Sequence, residues 1–115
     1  MQQIVDLETD PEFQALDVAL LSIALDPPTE LAAGAQEYGI QTTTLLTDGD
    51  KSVSQAFDVL KWAIDSGEPG HTFILVDKGG KIAWIKDYGA PDNPNRTMYV
   101  PITELTSAIR ESLNP

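Results

Sequence analysis

The stretch from His71 to Gly89 constrains the fold of this chain more than any other part of the sequence. Two β-prone runs, 72–76 and 81–85, flank the turn sequence Asp77-Lys78-Gly79-Gly80. Glycine adopts positive φ angles without steric cost, so a Gly-Gly pair in this setting predicts a tight β-hairpin. The first run shows no polar alternation, which predicts a strand buried on both faces. The second run alternates between two faces, as an edge strand does.

The rest of the chain alternates helical and extended segments. Helices are predicted over 2–7, over 29–38 with Gly39 as the C-cap, from an N-cap at Ser52 to Leu60 or Ile64, and over 101–113. Strands are predicted over 18–25 and 42–47, and polar loops over 65–70 and 90–96. The last helix is amphipathic, and its apolar stripe is formed by Ile102, Leu105, Ile109 and Leu113.

The predicted order of elements is α, β, α, β, α, β-hairpin, α. Strands that alternate with helices, followed by a hairpin and a last helix, predict an α/β fold with a layered sheet. The helix over 29–38 is expected to join its two strands in a right-handed parallel crossover. A chain of 115 residues is expected to form a single domain over 1–115.

The acidic composition limits the partners of this chain. Acidic residues number 18 against 7 basic ones, which gives a net charge of −11. Nucleic acid and anionic membranes are bound through lysine and arginine, so neither is expected as a partner. The sequence contains no apolar span of bilayer length and does not begin with a secretory signal pattern, which predicts a cytoplasmic protein.

Cysteine is absent from the sequence. Its absence excludes disulfides, thiolate metal sites and cysteine nucleophiles within these residues. A single histidine without argued partners does not define a catalytic triad. The sequence therefore predicts no catalytic residue, no metal site and no cofactor.

Several segments, taken in order, match a known pattern. They are S-I-A-L-D at the end of the first strand, E-Y-G-I at the end of a helix, L-L-T-D-G-D after the second strand, A-F-D-V in the next helix, and the hairpin sequence H-T-F-I-L-V-D-K-G-G-K-I. Together they resemble the redoxin branch of the thioredoxin fold, which contains the AhpC/TSA peroxiredoxin-like proteins and the TlpA-like thiol–disulfide oxidoreductases. The resemblance covers residues 2 to 113 approximately. It implies a thioredoxin-like three-layer α/β/α fold with a mixed sheet and a C-terminal β-hairpin plus helix, and antioxidant thiol peroxidase or disulfide-exchange activity.

The chain departs from this family pattern at its start. The family begins with a central strand and a redox cysteine, or C-x-x-C, before its first helix, whereas here the first residues are already helical in pattern. The peroxiredoxin arginine falls near Gly70, and the thioredoxin cis-proline falls at Gly70 or Pro69. We therefore expect an N-terminally truncated redoxin, as a fragment or through an internal start at Met1, with its central strand missing or replaced. Without a thiolate it is expected to be catalytically silent.

A missing central strand predicts an assembly. Buried backbone groups left without partners cost about 1–3 kcal/mol each, which a domain of marginal stability cannot absorb. We expect the gap to close by direct pairing of the flanking strands or by strand exchange in a homodimer or higher oligomer. The alternative is a cysteine-free binding or assembly module that holds a protein or peptide in the groove beside Pro69, Gly70 and His71.

Three further features have a functional and a structural interpretation. His71 is a metal ligand or proton donor in the first interpretation and a polar residue at the start of a strand in the second. The Asp48-Gly49-Asp50-Lys51-Ser52 segment begins like a calcium loop, but Val53 and Val59 replace the required glycine and glutamate, so a turn and helix cap is favoured. Four aromatic residues line a ligand groove or, more commonly for such residues, belong to the core or to an interface: Trp62, Trp84, Tyr88 and Tyr99.

Overall fold

The computed structural model describes residues 2–62, 71–89 and 99–113. The chain divides into two compact units, Met1–Phe57 and Asp58–Pro115. The predicted loops at 65–70 and 90–96 lie outside the described residues, and the single domain over 1–115 stays a prediction. Helices alternate with strands of both orientations, which confirms the α/β class.

The first unit begins with two short helices, α1 (Gln2–Thr9) and α2 (Pro11–Ala15). The Asp10 carboxylate accepts a hydrogen bond from the Phe13 N–H at 2.9 Å, and Pro11 occupies the first helical position. Both features favour a helix start, because the cap satisfies an N–H that has no partner within the helix. The sequence interpretation ended the first helix at residue 7 and did not predict α2.

A parallel strand pair forms the sheet of the first unit. β1 (Leu21–Ala24) pairs with β2 (Thr44–Thr47) in a register that places Leu21 beside Thr44. The helix α3 (Pro28–Tyr38) joins the strands and packs against β2. Gly39 ends α3 with φ 75°, and its N–H donates to the Ala35 carbonyl. The predicted parallel pairing and C-cap are confirmed, although both strands are shorter than expected.

The helix after β2 differs from its prediction at both ends. α4 covers only Ser52–Ala56, and its N-cap is Lys51 with φ 63°, so the prediction of Ser52 as the N-cap was wrong by one residue. Asp58, with φ 57°, follows the helix, and a left-handed residue of this kind interrupts a right-handed helix. The Leu60–Trp62 segment is a separate 3₁₀ turn.

The second unit contains the predicted hairpin. β3 (Thr72–Val76) pairs antiparallel with β4 (Ile82–Asp87). Leu75 lies opposite Trp84 and Val76 opposite Ile82, so Ala83 is the extra residue of a β-bulge. The expectation that the first strand is buried on both faces was wrong: Leu75 is buried, but Val76 is 48% exposed.

The turn of the hairpin is held by one side chain. The Asp77 carboxylate accepts the N–H groups of Gly79 and Lys81, each at 2.9 Å. Gly80 has φ 82°, a conformation that glycine adopts without strain. This local chemistry explains why the hairpin could be predicted from its turn sequence.

The closing helix, α5 (Ile102–Leu113), packs against β4. Leu105 and Ile109 from the predicted stripe are buried, and Ile102 and Leu113 are half-buried. Thr106 is also buried, and its hydroxyl donates to the Thr103 carbonyl at 3.2 Å. Among the described residues, no helix is long and apolar enough to span a membrane.

Candidate functional site

His71 is the one residue of the predicted groove that the structure describes, since Pro69 and Gly70 lie outside the described residues. It immediately precedes β3 and is half-buried. Its carbonyl accepts the N–H of Tyr88 at 2.9 Å. Beside this bond, the Thr72 hydroxyl donates to the Asp87 carboxylate at 2.8 Å. The His71 backbone is therefore bonded to Tyr88 at the open end of the hairpin, away from the turn.

His71, Phe73 and Tyr88 form a group of rings that we name the hairpin aromatic cluster. The His71 and Phe73 ring centres are 5.0 Å apart with the planes tilted by 35°. Phe73 and Tyr88 meet edge to face at 5.8 Å and 83°. Alternate residues of a strand lie on one face, which explains why His71 and Phe73 come together. Such packing stabilises the hairpin and brings no nucleophile and base together.

Among the described residues of the second unit, the Tyr88 hydroxyl has the most strongly shifted pKa. Tyr88 is 4% exposed, and the Lys86 ammonium lies 4.9 Å from its ring centre. Burial raises the pKa of Tyr88 to about 12, helped by the negative charge of Glu104 and a contact to its carboxylate that falls short of standard hydrogen-bond geometry. The phenol therefore stays protonated near neutral pH and cannot serve as a nucleophile there.

The other three aromatic residues were predicted to line a groove or to belong to the core or an interface. Trp62 lies beneath the Lys61 ammonium, which is 4.5 Å from its ring centre. Trp84 is half-buried in β4, and Tyr99 is 44% exposed. Of the four, only Tyr88 is buried in the core, and the ligand-groove interpretation stays a prediction.

Glu8 lies near the end of α1. Its carboxylate accepts more hydrogen bonds than any other side chain in the described part of the first unit. Its carboxylate accepts the backbone N–H groups of Gln41, Thr42 and Thr43 at 2.8, 3.3 and 3.2 Å. It also accepts the Thr43 hydroxyl at 2.7 Å. Sequence reasoning missed this contact, because nothing in the local pattern links residue 8 to a loop more than thirty positions later.

The hydrogen bonds determine the charge state of Glu8. Burial alone would raise the pKa of this carboxyl, but the bonds from Gln41, Thr43 and Thr42 outweigh burial and lower the pKa below its ordinary value. Glu8 is consequently ionised at neutral pH with its oxygens already engaged. It is a structural anion and not a general acid or base.

A cavity of about 250 Å³ lies beside Glu8. Its lining is mostly apolar and is formed by Glu8, Phe13, Gln14, residues 18–21, Thr42 and Thr44. The Gln14 amide donates to the Glu8 carbonyl at 2.9 Å, so it is already engaged. The lining residues of the cavity offer carboxylate, amide and hydroxyl groups beside apolar side chains.

The Asp48 segment is a helix cap, as the second of its two interpretations predicted. The Asp48 carboxylate accepts the N–H groups of Val53 and Ser54 at 3.0 and 2.8 Å, and Asp50 accepts that of Ser52 at 3.0 Å. Burial alone would raise the pKa of Asp48, but the bonds from Ser54 and Val53 lower it. No described set of three or more acidic or histidine side chains is arranged to hold a metal ion.

Comparison with known proteins identifies the family. A model of the AhpC/TSA family matches residues 2–85. The chain belongs to the AhpC/TSA family. This AhpC/TSA match extends from α1 into β4 and confirms the thioredoxin-like redoxin domain that the sequence motifs predicted. A search of curated proteins gives no match.

Proposed function

We propose that this AhpC/TSA chain is a redoxin domain without thiol chemistry of its own. The observation that carries the proposal is the absence of cysteine from all 115 residues. Peroxide reduction and disulfide exchange by thiol enzymes both begin with attack by a thiolate, usually one whose pKa is lowered by its surroundings. The chain contains no group that can form this nucleophile.

The buried acids with shifted pKa values among the described residues offer no substitute. The carboxylates of Glu8 and Asp48 are engaged in hydrogen bonds, and Tyr88 keeps its proton far above neutral pH. A nucleophile must be both deprotonated and able to approach its substrate. None of the three meets both conditions, which supports a silent domain.

Turnover assays test this proposal. The purified chain is incubated with hydrogen peroxide or an organic hydroperoxide and dithiothreitol, and separately with insulin as a disulfide substrate. We expect no rate above the protein-free reaction in either assay. A rate that increases with the concentration of the chain would overturn the proposal.

A second proposal, self-assembly through the sheets, rests on exposed strands. The register of β1 and β2 places Leu21, Ile23 and Leu46 on one face, and these side chains are 57%, 45% and 42% exposed. Parallel sheets are almost always covered on both faces, and a two-stranded sheet is marginal alone. A second copy of the chain packed against this face would cover it, and strand addition or exchange would pair an open edge of the described two-stranded sheet.

Light scattering coupled to size exclusion tests the assembly. A homodimer or higher oligomer is expected, and it should strengthen with salt, because each copy carries a net charge of −11. Ile23→Lys should weaken association, whereas Gln36→Lys, an equal charge change at an exposed site on α3, should not. A monodisperse monomer at all salt concentrations would contradict assembly. In that case the remaining non-catalytic function would be a module that binds a protein or peptide near His71.

A further inference from the structure

Glu8 carries its charge at an unfavourable place. It lies in the last turn of α1, is 8% exposed, and no basic residue occupies that turn. The C-terminal end of a helix carries a partial negative charge, which disfavours an anion there. Burial adds a further cost for a charge. Groups outside α1 must therefore stabilise the negative charge of Glu8.

The groups that stabilise the charge of Glu8 belong to residues 41–43, which we name the amide loop. Three successive N–H groups and one hydroxyl of this loop converge on the Glu8 carboxylate. Successive backbone N–H groups directed at one point form an anion-binding concavity, called a nest. The shortest bonds, from the Gln41 N–H at 2.8 Å and the Thr43 hydroxyl at 2.7 Å, reach different carboxylate oxygens. The loop thus recognises both oxygens of a carboxylate.

The shape of the amide loop is fixed at both ends without α1. Before it, the Ile40 N–H donates to the Ala35 carbonyl at 2.9 Å, and Gly39 ends α3 in a left-handed conformation. After it, Thr44 begins β2 and pairs with Leu21. Because these contacts belong to α3 and the sheet, the loop should keep its conformation when the Glu8 side chain is removed.

We propose that the amide loop is a carboxylate receptor whose internal ligand is Glu8, and that a free carboxylate the size of formate or acetate binds there when residue 8 is shortened. The neighbouring cavity, which Glu8 and Thr42 both line, provides a path to the receptor. In the native chain the receptor fixes the end of α1 to the segment between α3 and β2. This inference is independent of the absence of thiol chemistry.

Chemical rescue of Glu8→Ala tests the receptor. The variant should unfold at a lower temperature than the native chain, and sodium formate should raise its unfolding temperature in a saturable way. Half-saturation is expected on the order of 1 mM or weaker, the range open to a ligand of so few atoms. Sodium chloride at equal ionic strength should not reproduce the rise. An equal response to both salts would overturn the proposal.

Matched proteins separate rescue from general salt effects. The native chain, whose receptor is filled, and Glu12→Ala, which removes an exposed carboxylate from α2, should show no saturable response to formate. In Glu8→Ala, formate should shift the amide NMR signals of Gln41, Thr42 and Thr43 most strongly. Shifts spread over other residues would place the anion elsewhere and contradict the assignment.

A folding failure of Glu8→Ala would also be informative. In that case the yield of folded protein is compared after refolding in formate and in chloride of equal ionic strength. A gain in formate alone supports the receptor, because the anion then replaces the missing side chain. No gain in either salt would overturn it.

Discussion

Asp48 and Ser54 are joined by two hydrogen bonds to one carboxylate oxygen, from the Ser54 N–H at 2.8 Å and from its hydroxyl at 2.7 Å. The Asp48 N–H also donates to the Ala24 carbonyl at 2.7 Å. One residue thereby connects the ends of β1 and β2 to the start of α4. Both Asp48 and Ser54 are buried, so losing this pair leaves buried donors without a partner.

Replacing Asp48 should destabilise the chain more than replacing its neighbour. Asp48→Ala removes the acceptor for Val53 and Ser54, whereas Asp50→Ala removes one acceptor at an exposed site. Both changes remove one negative charge, so net charge is matched. Thermal unfolding should show a decrease of several degrees for Asp48→Ala and a smaller one for Asp50→Ala. Equal decreases in unfolding temperature would show that the buried Asp48 contributes no more stability than the exposed Asp50.

Stability should decrease at acid pH because of Glu8, Asp48 and Asp50. Each has a folded-state pKa below its ordinary value, which is 4.5 for Glu and 3.8 for Asp. A lowered pKa contributes stability that is complete above the ordinary value and is lost as the pH falls through the folded-state value. Urea unfolding between about pH 6 and pH 3 should show this loss, with a shallower slope in Glu8→Gln. An unchanged slope would show that Glu8 has an ordinary pKa.

Tyr88 should produce a separate loss of stability at alkaline pH. Its pKa is raised from 10.0 to about 12, so its contribution is complete below pH 10 and is lost as the pH rises from about 10 to 12. Tyr88→Phe should lack this loss. At neutral pH the change should alter the free energy of unfolding by less than about 1 kcal/mol, because the hydroxyl makes no standard hydrogen bond to a described residue. Equal alkaline losses in both proteins would contradict the raised pKa.

Gly39 and Gly49 provide a matched test of backbone strain. A Cβ atom added at either glycine meets no atom within 4 Å, but only Gly39 has a positive φ, 75°. Gly39→Ala should lower the free energy of unfolding by about 1–2 kcal/mol, since a left-handed conformation is unfavourable for alanine. Gly49→Ala should change it by less than about 1 kcal/mol. Chemical denaturation measures both values, and similar results would show that the C-cap tolerates a side chain.

Local chemistry accounts for the parts of the fold that the sequence predicted. The hairpin has its turn glycines and Asp77, α5 has a helical stripe centred on Leu105, and α3 has Gly39 just beyond its end. Each signal lies within the element that it specifies. The start of α4 was misplaced because its first N–H groups, those of Val53 and Ser54, donate to the carboxylate of Asp48, which lies four residues before Ser52.

The contacts that require distant partners could not be predicted. The bond from the Gln41 N–H to Glu8 depends on how α1 and the amide loop approach each other, which no periodicity records. The exposure of Val76 shows the same limit, because an apolar run indicates burial only if another surface covers it. For the site, the sequence excluded a cysteine nucleophile within these residues, whereas the proposed carboxylate receptor required the geometry of Glu8 and the amide loop.

The proposed absence of thiol chemistry is tested by the rate of peroxide consumption as a function of chain concentration. The measurement uses the purified chain, hydrogen peroxide and excess dithiothreitol, with a cysteine-containing AhpC/TSA protein as the positive control. We expect a slope of zero for this chain, because none of its residues can form a thiolate. A slope above zero that disappears when the chain is heat-denatured would overturn the proposed absence of thiol chemistry and would require a peroxide-reducing group other than cysteine.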